Sequence, residues 1–223
     1  MSNPWHLAPV LHYLGAVKPT RVLDVGIGTG SYGFMTRQFF DIGLERLNPA
    51  DWQLVIDGVE LFEPYRNPIW AYAYNNVMMG DIRDLLPTLG SYDVILCNDV
   101  LEHFPLEESQ ELVRNLLQKA PVVIATTPSW EMPQGAWGGN EAETHHCCLR
   151  PQDMPALVAS KRTGNTSLYV SCTDAELTKK IEEASETILE TRPTLATSAR
   201  NLSKRACHVL TRAFAGERSH KAA

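Results

Sequence analysis

The chain has 223 residues, of which 26 are acidic and 20 are basic, and its formal net charge is −6. Hydrophobic residues make up 44% of the chain, which is ordinary for a globular protein and sufficient for one sizeable core. The negative charge argues against a protein that binds nucleic acid independently of sequence, because such binding requires a basic surface. The five cysteines contain no C-x-x-C pair and do not form a disulfide framework, so we expect a reducing, cytoplasmic setting.

The N-terminal segment predicts neither a secretory signal peptide nor a membrane span. It lacks a basic region followed by an apolar core, and no apolar run in the chain is long enough to cross a bilayer. Residues 7–17 are apolar but short and include His12, so they predict a helix that packs before the first strand.

A glycine-rich turn follows the first predicted strand, which covers residues 22–25. Glycines in such a turn adopt backbone angles that other residues avoid and let a ligand lie against bare main chain. Gly28, Gly30 and Gly33 match the pattern G-x-G-x-x-G of dinucleotide sites, a weak signal alone. Asp24, within the end of the strand, fits a diphosphate poorly, because a diphosphate needs helix N-terminal amides without a fixed anion nearby.

Acidic residues also end the next two predicted strands. Residues 55–62 predict a second strand with Glu60 near its carboxyl end, and residues 76–82 predict a third that closes on Asp81. A carboxylate at the end of a strand can accept hydrogen bonds from two ribose hydroxyls, or it can be a solvated acid. Asp81 can likewise contact a ligand or cap the following turn.

A central buried strand is predicted over residues 93–98, and a fifth strand over residues 122–126. Helical patterns over residues 32–40 and 106–119 separate the strands, which predicts a parallel sheet with helices on both faces. Ligands of such sheets bind at the carboxyl ends of the strands, where all of these motifs lie.

Taken in order, the motifs resemble those of the class I, Rossmann-like methyltransferases that use S-adenosylmethionine (SAM). The run from Asp24 to Gly30 is similar to their first motif, D-x-G-x-G-x-G, and the run from Asp99 to His103 is similar to the fourth motif of many members. The resemblance covers residues 5–130. It implies an α/β fold, namely a three-layer α/β/α sandwich with a mostly parallel sheet, and SAM as the cofactor.

The resemblance also implies which residues hold SAM. Its cationic end suits the carboxylate of Asp24, Glu60 holds the ribose, Leu61 flanks the adenine, Asp81 meets the adenine amino group and Ile82 covers the ring. The complete set of expected cofactor residues is Asp24, Gly26, Gly28, Gly30, Glu60, Leu61, Asp81, Ile82, Asn98 and Asp99.

Residues 127–150 form the least regular segment, with two prolines, three glycines and two tryptophans. A long loop after the fifth strand is expected to lie over the carboxyl edge of the sheet and to bind the substrate. Trp130 and Trp137 would supply an apolar wall, while Asn140 and His146 would bind polar groups. The alternative is that the tryptophans only pack against the core.

Methyl transfer from a sulfonium depends mainly on positioning, because the leaving group is already activated. A hydroxyl acceptor also needs its proton removed, and His103 and His145 are the candidate catalytic residues for that step. His103 can instead cap the next helix. No metal site is predicted, because the adjacent residues of His145-His146-Cys147-Cys148 point in different directions and have no partner pair elsewhere.

The C-terminal third departs from the family pattern, which adds a helix and an antiparallel pair of strands. Residues 151–161 predict the helix and residues 167–172 a single strand without a partner, which ends a domain over residues 1–172. Amphipathic helices are then predicted within an extension over residues 173–216, which could mediate a homodimer. Residues 217–223 predict a disordered tail.

These features predict an enzyme that transfers a methyl group from SAM to an O or N atom of a small molecule. One alternative is an NAD-dependent oxidoreductase. Asp24 disfavours it, and so does the spacing from Gly30 to Glu60, because the acid of a dinucleotide site usually follows the glycine motif by about twenty residues. Another is a non-catalytic partner subunit that retains the SAM fold for assembly. Nucleic-acid substrates are not predicted, since no basic groove is visible in the sequence.

Overall fold

The structure is a computed structural model that describes residues 6–190. The chain divides into two compact units, Met1–Ser185 and Glu186–Ala223, and the sheet of the protein belongs to the first. The second amphipathic helix expected within residues 173–216 and the tail expected at 217–223 lie outside the described residues. Dimerisation through the extension stays a prediction.

Seven strands form one sheet within residues 6–190, in the order β3-β2-β1-β4-β5-β7-β6. The strands are β1 (Arg21–Val25), β2 (Val55–Glu60), β3 (Asn76–Met79), β4 (Val94–Asn98), β5 (Val122–Pro128), β6 (Leu157–Thr163) and β7 (Thr166–Cys172). The helices are α1 (Leu7–Val17), α2 (Ser31–Phe40), α3 (Pro68–Ala73), α4 (Ile82–Leu85), α5 (Leu106–Leu116) and α6 (Ala175–Glu190). Strands β1 to β5 are parallel, and β7 pairs antiparallel with both β5 and β6. The α/β fold class expected from the sequence is confirmed.

The strand order reverses between β1 and β4, which lie side by side at the centre of the sheet. Their apolar runs are buried, with Leu23, Ile95 and Leu96 fully inaccessible to solvent. Continuous apolar runs are typical of parallel strands that are covered on both faces. Because the chain leaves β1 and β4 toward opposite sides, a crevice opens at their carboxyl ends, and ligands of open α/β sheets bind at such a point.

A buried arginine attaches α2 to β2 and α3. The side chain of Arg37 is 1% exposed, and its Nη1 donates to Asp41 and to the carbonyl of Leu54, both at 2.6 Å. Its Nη2 donates to the carbonyl of Ala73 and to Asn75, both at 3.0 Å. These bonds hold the helix that follows the glycine turn in a fixed position against the sheet.

The prediction of a helix over residues 151–161 is wrong, and so is the prediction that residues 167–172 form a strand without a partner. Residues 151–153 form a single short turn, and β6 then pairs along its length with β7. Gly164 and Asn165 connect the two strands, and Gly164 has the positive φ of 60° that short hairpin turns require. The antiparallel pair of the family pattern is therefore present in this chain.

The first expected C-terminal helix is present as α6. Oδ1 of Asp174 accepts hydrogen bonds from the amides of Glu176 and Leu177, at 2.9 and 2.8 Å, and so caps the helix. The buried Ile181 lies on its inner face, and the ring of His12 in α1 hydrogen-bonds the carbonyl of Ala184. Among residues 6–190, none of the helices has the length and apolar character needed to span a membrane.

Candidate active site

Two adjoining cavities lie at the carboxyl edge of the sheet, and we call them the first and the second cavity. Their volumes are about 360 and 330 Å³, which is within the range of small-molecule sites. The residues that line both cavities are Gly26, Gly28, Tyr65, Asp99, His103 and Glu143. Two ligands bound here would therefore lie in direct contact.

The first cavity contains the four residues expected to bind the adenosine part of a cofactor. Glu60 and Leu61 come from the end of β2, and Asp81 and Ile82 from the start of α4. Leu61 is half exposed and Ile82 is buried, so they offer apolar surface on this wall. Phe104, which the sequence did not single out, adds an aromatic ring.

Glu60 connects the end of β2 to the glycine turn. Its Oε2 accepts a hydrogen bond from the amide of Gly28 at 2.8 Å, and its Oε1 accepts from the amides of Leu61 and Phe62 at 3.0 and 2.9 Å. A carboxylate has about four acceptor positions. Three of these positions accept from backbone amides, which leaves one for a ligand hydroxyl. The sequence had suggested hydrogen bonds to two ribose hydroxyls. Burial raises the pKa of Glu60, although these three amides oppose the shift.

Asp81 caps α4 and also lines the first cavity. Its Oδ1 accepts from the amide of Arg83 at 2.8 Å and caps α4, and its Oδ2 lies 2.7 Å from the Arg83 guanidinium. These hydrogen bonds lower the pKa of Asp81, which is therefore a carboxylate at neutral pH. The same carboxylate lines the first cavity, where it can accept from an amino group.

The glycines of the turn differ in what they do. Gly28 lines both cavities with a φ of 50°, and a Cβ placed there would meet no atom within 4 Å, so a ligand can approach its backbone. A Cβ at Gly33 would overlap the ring of Tyr74, so this glycine is required for packing. Gly26 lines both cavities, whereas Gly30 lines neither.

Asp24 lies behind the turn and lines neither cavity. Its side chain is 2% exposed, and its Oδ2 accepts a 2.6 Å hydrogen bond from the hydroxyl of Tyr74. That hydroxyl in turn accepts from the amide of Gly33 at 3.2 Å. Burial raises the pKa of Asp24 to about 7. The structure thus gives this acid a supporting contact, where the sequence predicted a contact with the cofactor.

Asn98 and Asp99 project from the end of β4 into the second cavity. Asn98 is 2% exposed, and neither its Oδ1 nor its Nδ2 has a hydrogen-bond partner among the described residues. An unpaired buried amide is costly, so this position favours a polar ligand group. Asp99 has a φ of 52°, and its Oδ1 accepts from the hydroxyl of Thr126 at 3.2 Å.

His103 and His145, the two catalytic candidates, lie together on the second cavity, with ring centroids 5.0 Å apart. Nδ1 of His103 lies 3.3 Å from the carbonyl of Thr144, and Nδ1 of His145 lies 2.8 Å from the carbonyl of Met132. Since a carbonyl only accepts, both Nδ1 atoms carry the hydrogen, and in the neutral form of each ring the lone pair is on Nε2. Burial lowers the pKa of His103, which favours this neutral form.

Glu102 was not among the predicted site residues, although it directly precedes His103. It lines the second cavity, its side chain is 1% exposed, and its Oε2 has no hydrogen-bond partner in the described part of the chain. Burial raises the pKa of Glu102 well above its ordinary value. An acid next to a candidate histidine was the signal in the sequence that could have identified it.

The loop over residues 127–150 contributes lining residues to both cavities. Trp137 lines the second cavity, while Asn140 and His146 line the first. Trp130 is half exposed and lines neither. The hydroxyl of Tyr65, another residue missed by the sequence, donates to Oε1 of Glu143 at 2.8 Å and connects the loop to the turn after β2.

Comparisons with known proteins agree with this geometry. A family model described as "Methyltransferase domain" matches residues 6–160, which is more than half of the chain. A search of curated proteins found no match.

Solved structures provide the remaining comparisons. The N-terminal domain of EvdMO1, solved in the presence of S-adenosylhomocysteine (SAH) and D-fucose, has a TM-score of 0.55 at 14% identity, over 78% of this chain and 85% of that one. The magnesium protoporphyrin IX methyltransferase ChlM from Synechocystis PCC 6803, with bound SAH, has a TM-score of 0.51 at 18% identity, over 75% and 82%. The methyltransferase domain of bacterial CtHen1-C has a TM-score of 0.53 at 15% identity, over 78% and 99%. The chain therefore belongs to the methyltransferase domain family and has the Rossmann-like fold of the SAM-dependent methyltransferases.

Proposed function

We propose that the protein transfers the methyl group of SAM to an oxygen or nitrogen atom of a small acceptor molecule. The observation that carries this proposal is the pair of adjoining cavities, which share the wall formed by Gly26, Gly28 and Asp99. One cavity offers carboxylates and apolar surface to an adenosine, and the other offers two histidines to an acceptor. Group transfer requires two ligands held side by side in this way.

The residues present fit SAM. Glu60 retains one acceptor position for a ribose hydroxyl, and Asp81 can accept from the adenine amino group. The unpaired amide of Asn98, which lines the second cavity, suits the polar methionyl end, so the cofactor would extend from the first cavity past the shared wall into the second. The carboxylates that line the cavities suit a cationic ligand without phosphate, which supports SAM over a nicotinamide dinucleotide.

Bound SAM supplies a methyl group on a sulfonium. The side chains of the chain hold the cofactor and the acceptor in line, and the loop over residues 127–150 excludes water from both. His103 and His145 both line the acceptor cavity, and with Nδ1 bonded to a carbonyl the neutral form of each ring has its lone pair on Nε2. We propose that these two atoms activate the acceptor, whose hydroxyl must lose its proton before or during transfer.

A small acceptor is supported by the size of the second cavity. Its volume is about 330 Å³, and loop residues including Met132, Gln134 and Trp137 form one side of it. The net charge of −6 does not favour an extended polyanion as the acceptor.

A cytoplasmic setting is supported by the cysteines of the described residues, since Cys97, Cys147, Cys148 and Cys172 are all free thiols.

Calorimetric titration of the purified protein with SAM, SAH and NADH tests the cofactor. We expect micromolar binding of SAM and SAH and none of NADH. Glu60→Gln and Asp81→Asn should each weaken SAM binding by about tenfold, since each removes the charge from a hydrogen-bond acceptor. Asp84→Asn is the matched control, because Asp84 is exposed and lines neither cavity. Its affinity for SAM should equal that of the wild type.

The other outcomes identify the alternatives. Tight NADH binding without a SAM signal would replace the proposal with an oxidoreductase. No binding of any of the three ligands would favour a partner subunit that keeps the fold without the activity.

A further inference from the structure

We propose that Glu102, His103 and His145 bind a divalent transition-metal cation on the wall of the second cavity. Each residue offers one ligand atom, and these atoms all lie within 4.8 Å of one another. Two residues come from the segment after β4 and the third from the loop, so the group exists only in the folded chain.

Both histidines are oriented as metal ligands usually are. In metal sites the second ring nitrogen typically donates to a backbone carbonyl or a carboxylate, which fixes the tautomer and the direction of the ring. In this chain the Nδ1 atoms donate to the carbonyls of Thr144 and Met132, so both Nε2 lone pairs are available to a cation.

The backbone holds the two segments together at the same place. The carbonyl of Glu102 accepts hydrogen bonds from the amides of His146 and Cys147, at 2.8 and 3.3 Å. The loop is therefore attached to Glu102 immediately after His145. This arrangement fixes the third candidate ligand relative to the first two.

Glu102 provides a separate indication of a ligand. Its side chain is 1% exposed, and its Oε2 has no hydrogen-bond partner among residues 6–190. Leaving a carboxyl oxygen buried and unpaired is costly. A cation bound by Glu102 would remove that cost.

The donor set determines the class of cation. Two imidazole nitrogens and one carboxylate oxygen, without a thiolate, suit first-row ions such as Mn²⁺, Fe²⁺ and Zn²⁺. Zinc ligands lie about 2.0–2.2 Å from the ion, so the donor atoms of a tetrahedral site are about 3.3–3.6 Å apart. The three ligand atoms lie within 4.8 Å of one another, so the side chains would have to close by at most about 1.5 Å. Three protein ligands also leave coordination positions for an acceptor.

The consequence for the reaction rests on the proposed function, although cation binding itself does not. With the cation bound, the Nε2 lone pairs of His103 and His145 are ligands, so the cation replaces them in activating the acceptor. A hydroxyl oxygen bound to the cation loses its proton to solvent more readily, because the cation lowers its pKa. The resulting oxygen nucleophile forms a bond to the methyl carbon, and the carbon–sulfur bond breaks with its electron pair remaining on sulfur. The acceptor is accordingly an alcohol or a phenol, and the other product is SAH.

The test uses the full chain after dialysis against EDTA and then metal-free buffer. Mn²⁺ binding is followed by electron paramagnetic resonance and Zn²⁺ binding by calorimetry, both without SAM or acceptor. We expect one ion per chain. Glu102→Gln and His145→Gln should each weaken binding at least tenfold, whereas His146→Gln, which alters the adjacent histidine, should change it less than twofold. Circular dichroism melts establish that every variant is folded.

The proposal is overturned if the wild type binds Mn²⁺ no more tightly than the Glu102→Gln, His145→Gln double variant. SAM titrations of the same samples separate the two proposals. Loss of the metal site with intact SAM binding removes only this inference. Metal binding without SAM binding removes the proposed function and leaves the cation site in place.

Discussion

The carboxyl group of Asp24 is directed away from both cavities, toward the hydroxyl of Tyr74. Tyr74 also contacts the face of α2 at Gly33, where there is no room for a side chain. Asp24, Tyr74 and Gly33 therefore form a buried support for the glycine turn. Gly26 and Gly28, by contrast, line both cavities.

Replacing Asp24 with asparagine tests this support through the pH dependence of stability. Burial raises the pKa of Asp24 from 3.8 to about 7, so the folded chain retains a proton that the unfolded chain releases. The stability from this proton is fully present below pH 3.8 and is lost as the pH rises through about 7. Within that window, wild type should lose up to roughly 1.4 kcal/mol per pH unit relative to Asp24→Asn. Urea unfolding between about pH 4.5 and pH 8 measures the difference.

The amide group introduced by Asp24→Asn can still accept from Tyr74 but carries no charge, so the variant should be more stable than the wild type at about pH 8. Asp84→Asn, at an exposed position, should follow the wild-type curve. Parallel curves for wild type and Asp24→Asn would mean that the buried carboxyl group does not titrate in this range.

The sequence was informative about these residues to an unequal degree. Glu60, Leu61, Asp81 and Ile82 line the first cavity as predicted, because a position at the end of a parallel strand determines which edge of the sheet it occupies. The direction of the Asp24 side chain depends on Tyr74, fifty residues further along the chain. No local pattern indicates that contact.

Among the elements, α2 depends on one buried ion pair. Arg37 and Asp41 are 1% and 0% exposed, and the guanidinium also stacks over the ring of Trp52 at 4.4 Å. We expect Arg37→Met to lower the free energy of unfolding by about 3–5 kcal/mol, because it leaves the Asp41 carboxylate buried with a weaker set of partners. Denaturant unfolding at neutral pH measures the loss.

The control is the same substitution at an exposed pair. Arg66 and Glu63 are 53% and 61% exposed, so Arg66→Met should lower the free energy of unfolding far less than Arg37→Met does. If the two variants were equally stable, the pairing of Arg46 with Asp41 at 3.1 Å would be sufficient to hold that carboxylate.

The hairpin of β6 and β7 was not predicted from the sequence. Strand β6 lies at the edge of the sheet, where the consecutive polar residues Ser160, Lys161 and Arg162 obscure the alternation of apolar residues. The run from Thr163 to Thr166 nevertheless contained a signal, since Gly-Asn is a typical two-residue hairpin turn. Strands β1, β4 and β5 were predictable because burial on both faces makes them largely continuous apolar runs.

For the molecule as a whole, the contact between Tyr65 and Glu143 joins two segments that line both cavities. Burial and the neighbouring carboxylate raise the pKa of Tyr65 to about 12, so the phenol remains a donor at any physiological pH. Tyr65→Phe removes a hydrogen bond worth about 1 kcal/mol, and we expect SAM to dissociate about three- to tenfold faster. Stopped-flow displacement of bound SAM by excess SAH measures this rate.

Tyr72→Phe is the matched control, because Tyr72 is 40% exposed and lines neither cavity. Its SAM dissociation rate and its melting temperature should equal those of the wild type. An unchanged rate in Tyr65→Phe would show that the loop stays in place without this hydrogen bond.

The active site as a whole was only partly predictable. The motifs indicated where a cofactor binds, because each one follows a strand. The group of Glu102, His103 and His145 was not predicted, because its members are brought together by backbone hydrogen bonds between the loop and the segment after β4. A search for ligands at regular spacing along the chain cannot detect such a group.

The shared wall of Gly26, Gly28 and Asp99 has a consequence for inhibition. A single molecule that joins an adenosine to an acceptor mimic through a short tether can occupy both cavities at once. Once one end is bound, the other end is present at an effective concentration of about millimolar, so the joined compound gains about 10²- to 10⁴-fold over either part. Selectivity then comes from the acceptor half, because the adenosine half is common to every enzyme that uses the same cofactor.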